Sequence, residues 1–144
     1  MKLFVRNRLP GAAVAAAALL LPALAFAADV VKWPNLKKLD DLAEKCEALS
    51  GKKDVAGLRK IAADTKAAAV AVETDKIPAN AKDKEKVKTL QNDLKSLSDA
   101  IEDPKTQDGE ELTELLAGVH PIVEQLMEAS GMPHVHEQEP AKKK

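Results

Sequence analysis

Apolar residues recur every three or four positions along four separate stretches of this chain. Leu36, Leu39, Leu42, Ala43, Cys46 and Leu49 make the first stripe, and Val55, Leu58, Ile61, Ala62, Ala68, Ala69 and Val72 the second. Val87, Leu90, Leu94, Leu97 and Ile101 follow an unbroken spacing of 3, 4, 3 and 4. Leu112, Leu115, Leu116, Val119, Ile122, Val123, Leu126 and Met127 complete the series. Intervals near 3.6 put such residues on one face of an α-helix, and no stretch alternates with the period of two that a half-buried strand needs. The pattern predicts an all-α protein.

The residues between the stripes set the expected ends. Asn35, after Trp33-Pro34, reads as the N-cap of the first helix, and Gly51 as its left-handed C′ residue. The second helix is expected from about Lys53 or Asp54 to Glu73, followed by a loop over 74–79 that contains Ile77-Pro78. The third is expected from near Asn80 to just before Pro104. Asp108-Gly109-Glu110-Glu111 reads as an acidic start to the fourth, and Gly131 and Pro133 as its end. Pro121 lies inside that helix and cannot donate to the carbonyl of Ala117, so a kink is expected there. Four helices with short connections must alternate in direction, which predicts an antiparallel up-and-down four-helix bundle over 28–133.

The segment before the first stripe has a different character. Lys2, Arg6 and Arg8 precede an apolar run over 12–21, and Ala25-Phe26-Ala27 supplies small residues at the cleavage-site spacing. This is the order of a secretory signal peptide over 1–27, and its apolar run is too short to span a bilayer. Export to the periplasm or beyond is therefore expected, with no stable membrane insertion. The residues over 134–144 are polar and charged and read as a solvated tail.

Composition then narrows the chemistry. Beyond residue 27 the chain keeps 19 of its 22 Lys and Arg against all 23 Asp and Glu, a formal charge of −4 with both signs interspersed. That pattern lacks the basic stripe of a nucleic-acid-binding surface, so no nucleic-acid partner is expected. Phe4 and Phe26 fall within the first 27 residues and Tyr is absent, leaving Trp33 as the one aromatic beyond them. The core must then be aliphatic, and stacking platforms for bases are missing. Cys46 is the only cysteine, so no internal disulfide can form; in an oxidising compartment it could bridge two chains or react as a thiol, but its place on the first stripe favours a buried thiol.

All three histidines lie toward the C-terminus. His120 sits on the flank of the fourth stripe, two turns from Met127 on the same face, with Glu124 at its outer edge. Met132-Pro133-His134-Val135-His136 forms a second group; if extended, it directs Met132, His134 and His136 to one side. Imidazole with thioether suits copper, and two imidazoles alone suit zinc or Cu(II). The alternative is a solvated histidine segment with Met127 as a core filler. No Gly-rich phosphate loop, G-x-S-x-G or Cys–His context marks an enzyme, and carboxylates such as those in Asp83-Lys84-Glu85-Lys86 read as solvated helix faces.

The chain resembles the cytochrome b-562 and cytochrome c-prime family of exported four-helix bundles. The matching features are a mature start at Ala28-Asp29, a short connection at Ser50-Gly51-Lys52-Lys53, a longer proline-containing loop over 75–81, and a last helix ending near a histidine. The likeness extends over most of 28–136. It implies haem b as a candidate cofactor, electron transfer as the activity, and a redox or envelope protein as partner. His134 or His136 falls closest to the family's haem histidine. Two departures bear on this. There is no Cys-x-x-Cys-His, so covalent haem attachment is excluded, and Val30, Val31, Trp33 and Pro34 stand where b-type members carry a methionine. Axial ligands would have to come from His120, His134, His136, Met127 and Met132. Three functions stay open: a haem or redox carrier, a copper- or zinc-binding protein, and a cofactor-free bundle acting through protein contacts.

Overall fold

A computed structural model describes residues 30–133, and every regular element among them is helical. The order is α1 (Pro34–Gly51), α2 (Val55–Thr74), α3 (Lys84–Ala100), α4 (Gly109–Ala117) and α5 (Val119–Ser130). None of these helices is long and apolar enough to cross a membrane. The expected signal peptide over 1–27 and the tail over 134–144 lie outside the described residues.

The four stripes do form the core, in two clusters. One joins Leu36, Leu39 and Ala43 of α1 to Ala68, Ala69 and Val72 of α2, Val87, Leu90 and Leu94 of α3, and Val123, Leu126 and Met127 of α5. The other joins Cys46 of α1, Leu58 and Ala62 of α2, Ile101 after α3, and Leu112 and Leu116 of α4. The beginning of α1 thus meets the end of α2, the beginning of α3 and the end of α5. Leu97 packs against both clusters and links them.

Several helix ends differ from the sequence expectation, each for a local reason. Trp33, not Asn35, is the N-cap of α1, because Pro34 already occupies the first turn, where its fixed φ and missing N–H cost nothing. Freed from capping, the Asn35 side chain donates to Asp75 Oδ2 at 2.9 Å. Gly51 is not the left-handed residue; it stays helical, and Lys53 takes φ 54°. The N–H of Lys53 donates to Ser50 O and that of Asp54 to Leu49 O, both at 2.9 Å. This pair of bonds is a Schellman closure displaced two residues beyond the glycine.

α3 begins at Lys84 behind an Asp83 cap, later than the expected Asn80. The difference lies in what 82–83 do. Lys82 and Asp83 donate their N–H groups to Ser130 O and Ala129 O, at 3.4 and 2.9 Å, satisfying carbonyls at the end of α5. The Asp108 cap matches expectation, as does the helix end at Gly131, which is left-handed at φ 84°, while the expected start of the second helix near Asp54 proves to be a side-chain cap by that residue. At the expected kink the helix is interrupted for one residue, Gly118, whose backbone itself stays in the right-handed helical region at φ −71° and ψ −12°. α4 stops at Ala117 and α5 starts at Val119, with Gly118 between them and Pro121 unable to donate back across the break. A Cβ on Gly118 would lie 3.2 Å from Leu97 Cδ1, so α3 approaches the break closely.

Gly51→Ala, with open space around the new Cβ, stabilises the protein by about 0.5–1 kcal/mol, and Lys53→Gly does so by about 1 kcal/mol through relief of the left-handed conformation. Denaturant midpoints check both, and a loss on Gly51→Ala would place the left-handed position at Gly51 after all. Leu94→Ala, at 0% exposure, costs roughly 2–5 kcal/mol in the same assay.

Candidate functional site

His120 is held between two helices. It lies in the first turn of α5, buried apart from 10% of its side chain. Its Nδ1 is 2.8 Å from Glu47 Oε2 on α1, and its Nε2 is 3.9 Å from Glu124 Oε1 one turn further along α5. Glu47 comes from the outward face of α1, one position after Cys46 of the core stripe, so its carboxylate reaches the histidine from the rim. Nothing in the spacing of α5 alone pointed to Glu47; only the packing of α1 beside α5 brings the two together. The imidazole serves as a polar tie across an otherwise aliphatic seam.

Met127 is 1% exposed within the larger core cluster. His120 and Met127 share one helix, seven residues and about 10 Å apart along the axis, and cannot face each other across the two sides of a flat macrocycle. This pair does not fit the axial ligation of haem. An open cleft of about 620 Å³ lies away from this pair, lined by Ser50, Lys53, Val55, Asp108, Thr113 and Glu114 among others. Among the described residues no three His, Cys, Asp or Glu side chains gather as a metal-ligand group.

Met132 has a different setting. Its N–H donates to Met127 O at 2.9 Å while the N–H of Gly131 donates to Glu128 O at 3.2 Å, a complete Schellman closure of α5. The side chain packs on the edge of the core and stays half-buried. Glycine is favoured here by its backbone, and the exposed Lys82 side chain would have to shift a little for any Cβ. The φ of Gly131 is left-handed, and a Cβ would meet the Lys82 side chain at 3.0 Å. His134 and His136, the other members of the sequence group, lie outside the described residues.

The same end of the helices carries a polar cluster that the sequence reading did not single out. Trp33 Nε1–H donates to Asp75 Oδ2 at 2.7 Å, alongside Asn35. Gln91 Nε2 donates to Val72 O at 2.8 Å and to Asp75 O at 3.1 Å, so the end of α2 is bound to α1 and α3 at once. Trp33 itself is 4% exposed. An indole placed just before a helix-starting proline needs a partner for its N–H once buried, which is the signal that could have found Asp75.

Cys46 is fully buried, as its place on the stripe implies, with Sγ 3.5 Å from Thr65 Oγ1. Burial pushes the thiol pKa up, with the Thr65 hydroxyl opposing the shift. Comparison with protein-family models, with curated proteins and with solved structures finds no match to this chain.

The Cys46 shift has a sign that can be checked. The folded protein holds the thiol proton more tightly than the unfolded chain does. Its contribution is therefore complete below the ordinary thiol value of about 8.5 and is lost as pH rises beyond it. The stability gap between wild type and Cys46→Ala is expected to narrow between pH 7 and pH 10 in paired denaturant titrations. Native Cys46 also resists alkylation at neutral pH until the protein is unfolded.

Proposed function

We propose that this chain is an exported, periplasmic or secreted, up-and-down four-helix bundle of cytochrome b-562-like architecture, which carries a copper- or zinc-binding segment at the end of its last helix. The ligands in this reading are Met132, His134 and His136. Export is supported by the basic, apolar and small-residue order over 1–27, with cleavage after Ala27. The bundle is supported by the two core clusters, in which beginnings and ends of successive helices alternate, with α4 and α5 together forming the fourth limb.

The observation that carries the metal reading is the closure of α5. Gly131, Met132 and the loop residues Lys82 and Asp83 satisfy the terminal carbonyls and fix the backbone at Met132. A thioether and two imidazoles within five residues of one another then follow from an anchored point, and that donor set suits copper, or zinc through the imidazoles alone. A copper ion so held would supply a redox centre for electron transfer to a partner in the envelope. Haem b is the weaker candidate, since His120 and Met127 are occupied in packing and in the Glu47 tie.

A second reading has one observation in its favour. With His120 and Met127 both employed in joining helices, the bundle stands complete without a ligand and acts through protein contacts. Titration of Zn(II), Cu(II), Cu(I) and haem b into the mature chain and into His134→Ala/His136→Ala separates the two. The metal reading expects about one metal ion per wild-type chain, most of it lost in the variant, with the helical circular dichroism of both unchanged. Equal weak binding by both proteins would leave the protein-contact reading in its place.

A further inference from the structure

The chain carries four sulfur atoms, in Met1, Cys46, Met127 and Met132. Cys46 is 0% exposed and Met127 1%, each enclosed by an aliphatic cluster. Among the described residues, Met132 alone brings sulfur to the surface, half-buried at the edge of the larger cluster. It also stands at a joint between two helices. Its N–H donates to Met127 O at 2.9 Å, and its side chain packs back on the cluster that contains Leu126 and Met127, the apolar contact that completes a Schellman closure. The same last turn of α5 holds the start of α3. Asp83 N–H donates to Ala129 O at 2.9 Å and Lys82 N–H to Ser130 O at 3.4 Å. The nearby ion pair of Lys86 with Glu128, at 3.7 Å between exposed groups, adds little.

We infer that Met132 is an oxidation site that acts as a clasp on this joint: conversion of its thioether to the sulfoxide loosens the last turn of α5 and its hold on Lys82 and Asp83. The oxidant is a peroxide, and the step moves two electrons from sulfur to oxygen. A sulfur lone pair forms the S–O bond, the peroxide O–O bond breaks, and the departing oxygen leaves as water once protonated. An apolar side chain becomes a polar one with a strong acceptor. Kept against the aliphatic cluster, the new oxygen is cut off from water; turned outward, it takes the apolar contacts of Met132 with it. In both cases the closure loses its apolar half, and the carbonyls of Ala129 and Ser130 are left to backbone bonds alone. The loosening is local. Leu126 and Met127 stay enclosed by the other helices, and helix ends open at far lower cost than the core.

The test treats the purified protein with hydrogen peroxide, with a chelator present so that no metal shields the sulfur. Peptide mass spectrometry locates each added oxygen, and amide hydrogen exchange follows the joint. Met132 is expected to oxidise about tenfold or more faster than Met127, with Cys46 unmodified while the fold persists. After oxidation, exchange at the amides of Lys82, Asp83, Gly131 and Met132 is expected to quicken by about tenfold, while Leu90 and Leu94 within α3 keep their rates. Met132→Leu retains the apolar contact and is expected to exchange like the unoxidised protein, before and after peroxide. Met132→Gln, with a polar amide in the same place, is expected to reproduce the faster exchange without any oxidant. Equal oxidation of Met127 and Met132 in the folded protein would overturn the site. Selective oxidation of Met132 with those four amides unchanged would overturn the clasp, as would unchanged exchange in Met132→Gln.

Discussion

A core with a single aromatic side chain, Trp33 before the first helix, dictates how these helices meet. Beyond residue 27 only Trp33 has a ring larger than imidazole, so leucine, valine, isoleucine, methionine and alanine must fill the interior. Such side chains bury apolar area effectively only if the helix axes lie close together, and α2 makes that possible by presenting Ala62, Ala68 and Ala69 inward. Where α3 approaches the last limb, the small residue is Gly118, with Leu97 pressed near its backbone. The break between α4 and α5 therefore coincides with a packing requirement as well as with the missing N–H of Pro121.

Polar groups are placed where this aliphatic interior ends. At one end the Trp33 indole, Asn35 and the Gln91 amide converge on Asp75 and its carbonyl, closing the turn that follows α2. At the other, Gln107 donates to Ala100 O, and Arg59 and Lys66 donate to the carbonyls of Gln107 and Ile101, fastening the link between α3 and α4. Along the side, His120 ties α5 to Glu47 of α1. Each bond satisfies a group that folding removes from water, so the connections are fixed by the same helices they join.

The legibility of the sequence divides along this line. Helical stripes were readable because periodicity is local, and every residue of the third stripe except the half-buried Leu97 is buried. Asp108 was readable as a cap because a side-chain oxygen reaches N–H groups two or three residues away. Gly51 misled because a glycine before a turn is compatible with a left-handed residue on either side of it. The choice of Lys53 depends on how α1 and α2 must cross. Asn80 misled in a similar way, since 82–83 are drawn off to serve α5, a partner about fifty residues distant in sequence. The pairing of His120 with Glu47 is of this tertiary kind too: helical angle placed His120 at the rim of the stripe, but its partner comes from another helix.

This division also separates stability from chemistry. His120 and Met127 were candidate ligands in sequence because they share a helix face, yet that same face is what the core consumes. A residue that holds the helices together is a poor choice for a ligand that must release or exchange a metal, since each exchange would disturb packing worth several kcal/mol. Met132 carries less of that burden: it is half-buried at the edge of the core, and the Schellman bonds at Gly131 and Met132 are backbone bonds. Binding at Met132, His134 and His136 would therefore leave the helices intact with and without metal, and metal affinity could be tuned there without altering the fold.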